Sequence, residues 1–300
     1  MTNASTDSDT TANQPANENN ESGPTSSGHQ ENPTPPGGDA SMQQHLLFQL
    51  HGTLASWGDV AVGEVRPTFD HPSKSAVLGL VAAALGIERS EEEKHQALTE
   101  GYRFAVRLDV PGRPLRDYHT TETPTGKRAR GLPSRRDEIE YKSTTTIQSY
   151  RDYRCDALAT VCLWPGKNEP PWSLKEIAAA LQAPAFMLYL GRKACSPSLP
   201  MSPEVVEAAT LREAFESTSV GRDPLAQKVI QSLSDEQSAS GRRKSVRIYW
   251  ENDPDAGSTI GFNADQVQQR RDELVSRRRW QYQFREENVA TLPPNDPAVA

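Results

Sequence analysis

The residues of this chain best suited to chemistry lie in Tyr150-Arg151-Asp152-Tyr153-Arg154, where aromatic rings and guanidiniums interleave. That mixture suits a single nucleic-acid strand, whose bases stack on rings while arginines hold phosphates. A strand edge with alternating faces accounts for any two of these residues without a ligand. A second group is Tyr118 and His119, with Arg116 and Lys142 nearby in sequence. His, Tyr and Lys together can cleave RNA by general acid–base chemistry, although a hydrogen-bonding or stacking histidine is the plainer reading. A third is Lys74-Ser75, which invites comparison with a phosphate-binding loop. The residues ahead of it, Phe69-Asp70-His71-Pro72-Ser73, include no glycine, so the backbone cannot wrap a nucleotide phosphate, and ATP binding is excluded. What remains is a helix N-terminus with free N–H groups and Lys74 beside it, suited to a backbone phosphate, or else a capped helix with an exposed lysine. Trp57 is either core or a stacking platform. The histidines and cysteines are too scattered for a zinc site, and neither GxSxG nor HExxH occurs.

These groups need elements to position them. A near-continuous apolar run at His45–Leu50 predicts a central strand covered on both faces, followed by a loop over Gly52–Gly63. Ser73 is the expected N-cap of a helix whose apolar face is Val77, Leu78, Leu80, Val81, Ala84 and Leu85, and Gly86 ends it. A short charged helix follows at Ser90–Leu98. Phe104, Val106, Leu108 and Val110 alternate with polar or small residues, which predicts a half-buried strand. A further strand is expected at Ala157–Trp164. Between these two lies a polar, basic excursion at 111–155, of a size that is usually functional or disordered. Ser173 and Glu176 form a capping box, Pro184 ends that helix, and Phe186–Leu190 reads as a strand. The order β-α-β-(insertion)-β-α-β is the ferredoxin-like pattern. Beyond residue 200 a helix is expected at Pro203–Glu216, with strands near Val246–Trp250 and Trp280–Phe284.

Residues 1–40 hold six acids, no Lys or Arg, and no Leu, Ile, Val, Phe, Trp, Tyr or Cys. Such a segment cannot bury enough surface to offset its ordering entropy, so a disordered acidic tail is expected. It is either an inert solubilising extension or a polyanion mimic for a basic groove. It carries most of the chain's net charge of −7, leaving −1 for the remainder, and it helps to lower the hydrophobic fraction to 35%. The remainder is unevenly charged. Residues 101–154 carry 12 Lys and Arg against 7 Asp and Glu. Arg242-Arg243-Lys244 with Arg247, and Arg277-Arg278-Arg279, add two more basic runs, which suit a polyanion or simply form solvated faces. Three cysteines without a CxxC argue against a disulfide framework. With no signal peptide and no apolar run of membrane-spanning length, a cytoplasmic location is expected.

The segments LHGTLASWG, RPT, PSKSAVLGLVAAALGI, LRDYHT, TIQSYRDYRCDA and YLGRKACSP, in this order and spacing, resemble the Cas5 family of RAMP proteins, and within it the subunits of type I-E CRISPR Cascade. SRRRWQYQF at Ser276–Phe284 resembles the family's late Arg-Trp strand. The resemblance implies an α+β, ferredoxin-like (RRM-like) RAMP domain at 44–195 with a thumb at about 111–155. It also implies a smaller C-terminal β-rich region at 196–290 and a frayed end at 291–300, after a tail at 1–43. It implies a subunit that caps the 5′ handle of the CRISPR RNA and contacts a backbone subunit and the large PAM-reading subunit. No cofactor or metal is implied. The candidate RNA-binding residues are Trp57, Lys74, Ser75, Arg116, Tyr118, His119, Lys142, Gln148, Tyr150, Arg151, Arg154, Gly191, Arg192 and Lys193. A different subunit cuts the precursor RNA in type I-E, so no catalytic residue is implied. In the sister type I-C system the corresponding subunit is a metal-independent endoribonuclease, and on that alternative Tyr118, His119 and Lys142 would act.

Overall fold

The computed structural model describes residues 42–126, 131–166, 168–220, 246–253, 257–293 and 296–299, with a few positions between 224 and 235. The expected acidic tail (apart from its last two residues), the basic run 242–244 and the segment 127–130 lie outside the described residues.

Among the described residues, nine strands join in one sheet. They are β1 (Gln43–Ala55), β2 (Val65–Arg66), β3 (Tyr102–Val110), β4 (Arg113–Pro124), β5 (Thr144–Pro165), β6 (Glu204–Ala208), β7 (Val246–Glu251), β8 (Gln266–Ser276) and β9 (Gln281–Leu292). The main order is β6-β1-β5-β3-β7-β9-β8, antiparallel throughout, with β2 and β4 added on β5. Five helices matter here: α1 (Lys74–Ala84), α2 (Glu92–Gly101), α3 (Arg135–Glu140), α4 (Leu174–Gln182) and α5 (Leu211–Ser217).

Strand alternation feeds two cores. Leu46, Phe48, Phe104, Val106, Val161 and Leu163 point to one face, where α1, α2 and α4 cover them. Leu47, Ala105, Cys162, Ile248 and Ala290 point to the other, under α5 and its Phe215. A strand buried on both faces must be apolar at consecutive positions, which is why Leu46-Leu47-Phe48 reads as a run. The same cover corrects the expectation of a half-buried β3. Arg107 on its second face is buried, with partners in Asp109 (2.6 Å), Thr160 and the Ala298 carbonyl.

Strand β5 is the spine, 22 residues long. Its second half is central in the sheet between β1 and β3, and its first half projects beyond them, paired with β4 and, at Tyr150-Arg151, with β2. The departure is marked by two left-handed residues, Gly112 (φ +64°) and Asp156 (φ +56°). A Cβ on Gly112 would lie 2.5 Å from the Cys155 carbonyl oxygen, so the chain passes there only without a side chain. The excursion at 111–155 is therefore an exposed β-hairpin, with α3 near its tip.

Three further expectations change. β1 continues through Gly52 to Ala55, because Leu54 and Ala55 pair with Cys155 and Arg154 of the long β5. Phe186–Leu190 is no strand: the amides of Ala185 and Phe186 donate to the Ala84 and Ala83 carbonyls at the end of α1, and Leu190 bonds Cys195 and Ser56. The sheet's edge beside β1 is instead β6, in the segment expected to be helical. There Val205-Val206 favours a strand, and Thr210 caps α5 through the Glu213 amide. The Ser73 cap of α1 and the Ser173–Glu176 capping box of α4 are present as expected.

Candidate nucleic-acid interface

A cleft of about 530 Å³ opens where four segments meet: the loop after β1, the start of α1, the Gly191-Arg192 turn, and the β8–β9 hairpin. Its floor is fixed by a close backbone approach. Gly191 has φ +87°, and a Cβ there would sit 1.7 Å from the Ser56 carbonyl oxygen. The Ser56 amide donates to the Leu190 carbonyl (3.0 Å), and the Trp57 amide to Thr68 Oγ1 (2.8 Å). Trp57 lines the cleft but is 6% exposed and belongs to the first core, so its ring is packed rather than presented. Its indole Nε1 is buried and has no partner. Arg192 lies over the Tyr153 ring (4.5 Å) and donates to the Arg66 carbonyl (2.9 Å). Ser75 also lines the cleft, and Lys193 is exposed beside the glycine turn.

The opposite wall is held by buried ions. Arg285 grips Asp272 through two nitrogens (2.6 and 3.0 Å) and Glu287 through one (2.6 Å). Arg270 donates to the carbonyls of His71 (2.9 Å) and Pro72 (3.2 Å) just ahead of α1, with its guanidinium over the Phe69 ring. His71 is buried, stacked on Tyr249 at 3.6 Å, with Nδ1 2.6 Å from Asp70 and Nε2 3.0 Å from Glu287. Burial pushes the Asp70 and Glu287 carboxyls upward, but His71 and the neighbouring arginines outweigh it and hold both well below the usual carboxylate range.

This network corrects the expectation for Lys74. The lysine is 3% exposed and its Nζ meets Glu251 at 2.5 Å, while its backbone N–H donates to Asp272 Oδ2 (2.7 Å). A carboxylate of the protein already occupies the helix N-terminus, and the ammonium is turned inward to a counter-charge. Lys74 holds α1 against β7 and β8 and offers nothing to a phosphate here.

On the β4–β5 hairpin, register decides which residues meet. Tyr118 pairs with Tyr150, Arg116 with Asp152 and Thr120 with Gln148. These share one face, where the two tyrosine rings lie 5.4 Å apart and are well exposed. Arg116 holds Asp152 in a fork (2.7 and 2.9 Å). His119, adjacent to Tyr118 on an extended strand, lies on the other face with Asp117 (3.6 Å) and Arg151. Lys142 lies beyond the last rung, Pro124–Thr144, which is about 17 Å along the strand from the His119–Ser149 rung. The hairpin thus joins Tyr118, Gln148 and Tyr150 but does not assemble Tyr118, His119 and Lys142 into one site. Arg154 lies at the hairpin's base, beside a smaller cavity of about 290 Å³.

The profile of the family described as CRISPR-associated protein (Cas_Cas5) matches residues 45–286. The CRISPR system Cascade subunit CasD of Escherichia coli (strain K12) is 36% identical over 168 residues, covering 53% of this chain and 70% of CasD. This chain belongs to the Cas5 family. Two solved structures share the fold. A chain of a CRISPR RNA-guided surveillance complex has a TM-score of 0.54 at 24% identity, covering 85% of this chain and 95% of its own. A structure titled as a Cas protein has a TM-score of 0.52 at 25% identity, covering 85% and 97%.

In this Cas5-family chain, sequence reasoning did not single out Arg270, Arg271 and Tyr282 on the cleft's far wall as candidate contacts, and noted Arg66 only as part of the RPT segment. It singled out Trp280 only as part of a strand. Trp280 sits at the β8–β9 turn with φ +54°, its ring close to the guanidiniums of Arg89 (4.1 Å) and Arg277 (4.5 Å). The turn is pinned to the start of α2 by Glu92, which accepts the amides of Arg277 and Arg278 (2.8 Å each). The run Arg277-Arg278-Arg279-Trp280 was the one available signal.

Proposed function

We propose that this chain is a subunit of the CasD kind in a type I-E CRISPR Cascade, and that it binds the 5′ handle of the CRISPR RNA without cutting it. The supporting fold reading is a ferredoxin-like unit made of β1, α1, β3, β5, α4 and β6, with the β4–β5 hairpin as its thumb. The observation that carries the proposal is the cleft, where Arg66, Arg192 and Arg271 and the Trp280 ring converge on about 530 Å³ of open space, with buried Arg270 supporting its wall. Guanidiniums for phosphates beside rings for bases are what a single strand requires. The exposed Tyr118–Tyr150 pair on the hairpin extends the same chemistry outward. Serving RNA here are Trp57 and Ser75 as cleft wall, Gly191, Arg192 and Lys193 at its floor, and Arg116, Gln148, Tyr150, Arg151 and Arg154 on the hairpin, with Tyr118 and His119 on opposite faces. The partners are a backbone subunit and the large PAM-reading subunit, in the cytoplasm. Among the described residues no helix is long and apolar enough to cross a membrane.

The test is one incubation of the protein with 5′-labelled repeat RNA, with and without the other Cascade subunits, resolved for both shift and cleavage. Intact RNA that shifts, most strongly with partners, is the expected result. A discrete cut by this chain alone, lost in His119→Ala, would make it the processing nuclease instead.

A further inference from the structure

At the hairpin's base the charge count is uneven. Both oxygens of Asp152 are taken by the Arg116 fork: Oδ1 by Nε at 2.7 Å and Oδ2 by Nη2 at 2.9 Å. Arg154 stands two residues on along β5, on the same face as Asp152 and opposite Pro114, and lines the same cavity of about 290 Å³. Its Nε is buried with no hydrogen-bond partner. Arg192, stacked on Tyr153, likewise keeps a buried Nη1 without a partner. The hydrogen bond from Arg116, and then the charges of Arg192 and Arg154, hold the Asp152 carboxyl below its usual range, so all three cations act on this one anion.

Guanidiniums stay charged at any working pH, and two of them at a cavity with one carboxylate leave a positive charge and an unserved N–H donor. We propose that Asp152 is a resident counter-ion in a phosphodiester seat built from Arg116 and Arg154, and that an RNA phosphate displaces it from the Arg116 fork. This rests on the RNA-binding reading above. A phosphodiester carries the same single charge and two non-bridging oxygens, so it matches the fork that Asp152 now fills. The seat is continuous with the cleft. Ser56, which lines the cleft, donates its hydroxyl to the Asp152 backbone carbonyl (3.2 Å), so the two sites adjoin. Asp152 then acts as a brake: it keeps Arg116 ordered but must be paid off before RNA engages.

The experiment titrates a 5′-labelled single-stranded repeat RNA against the full chain, its Asp152→Asn variant, Arg116→Ala and the double variant, across a salt series. An exposed fork of this kind is worth little, so its release should tighten binding by about two- to fivefold at low salt. The gain should shrink as salt rises and vanish in the Arg116→Ala background. Equal thermal midpoints for wild type and Asp152→Asn confirm that folding is not the cause. Unchanged or weaker binding by Asp152→Asn, with wild type still binding, overturns the seat and leaves the RNA-binding reading standing. A wild type that binds no RNA, alone or with the other subunits, overturns both.

Discussion

At the α1 end, Arg270 and Arg285 face Asp272 and Glu287 with less than a tenth of any side chain exposed, whereas on the hairpin Arg116 faces Asp152 with the arginine 60% exposed. The residue types are the same and the physics differs. In the interior a charge without its partner is expensive, so each ion there is held by several others and by backbone carbonyls. On the hairpin the Arg116 side chain reaches water and can leave at small cost, although Asp152 is only 20% exposed. The first region is therefore scaffold: it fixes β8 and β9 against α1 and gives the cleft its far wall. The second is available for exchange with a ligand. That division also explains why Lys74 is committed to the interior while Arg116 is open to a ligand.

The strongest way to break the comparison is to remove Glu287, which is fully buried and accepts from Arg285 (2.6 Å), Gln268 (2.9 Å) and His71. Glu287→Ala leaves buried cations uncompensated and should cost about 3–5 kcal/mol, read as a fall in the urea midpoint. A loss under about 1 kcal/mol would mean the interior network is no more committed than the hairpin. Next is Gly191→Ala, which combines a left-handed backbone with a Cβ placed on the Ser56 carbonyl. Strain of that kind costs about 1–3 kcal/mol, and the floor must shift to admit the methyl. RNA affinity should fall with stability here, whereas repacking without loss of affinity would detach the floor from binding.

Much of the first core could be read from the chain, and the reason is local. Ser73, Ser173 and Glu176 state where helices begin, and Leu46-Leu47-Phe48 states a strand covered twice. The hairpin's span was legible as an excursion, but its faces depended on a register that no single residue encodes. The cleft's far wall was illegible for a related reason. β8, with the sequence QVQQRRDELVS, is polar at most positions because it is an edge strand whose inward residues are ions, so neither strand period nor apolar content marks it. The partners of Arg270 and Asp272 lie some two hundred residues away around His71–Lys74. Sequence proximity gave the opposite error at Tyr118-His119, neighbours in the chain that extended backbone sends to opposite faces.

Acid sharpens the comparison further. Asp70 and Glu287 titrate below their ordinary values in the folded chain, so the stability they contribute is fully present above the unfolded carboxylate range near pH 4. It is lost as pH falls through that range toward the depressed folded values. The thermal midpoint should thus be nearly level from pH 7 to about pH 5 and drop below about pH 4. Glu287→Gln should start lower and drop less. A parallel drop in wild type and variant would assign the acid sensitivity elsewhere.

The smallest expected effect on stability is on the hairpin. Tyr118 and Tyr150 touch each other and solvent, and Tyr118→Ala removes one exposed cross-strand pair, worth about 0.2–1 kcal/mol. Its effect on RNA should be larger than its effect on folding, because a base stacked on an aromatic ring is worth about 1–3 kcal/mol. Measured side by side, a thermal midpoint within about 2 °C of wild type and an RNA affinity reduced about five- to a hundredfold would mark the ring as a ligand contact rather than a fold contact. Tyr118→Phe should restore most of the affinity, since stacking needs the ring and not the hydroxyl. His119→Ala, on the other face of the same strand, should lose less affinity than Tyr118→Ala, and equal losses would mean that RNA wraps the hairpin rather than stacking mainly on its tyrosine face.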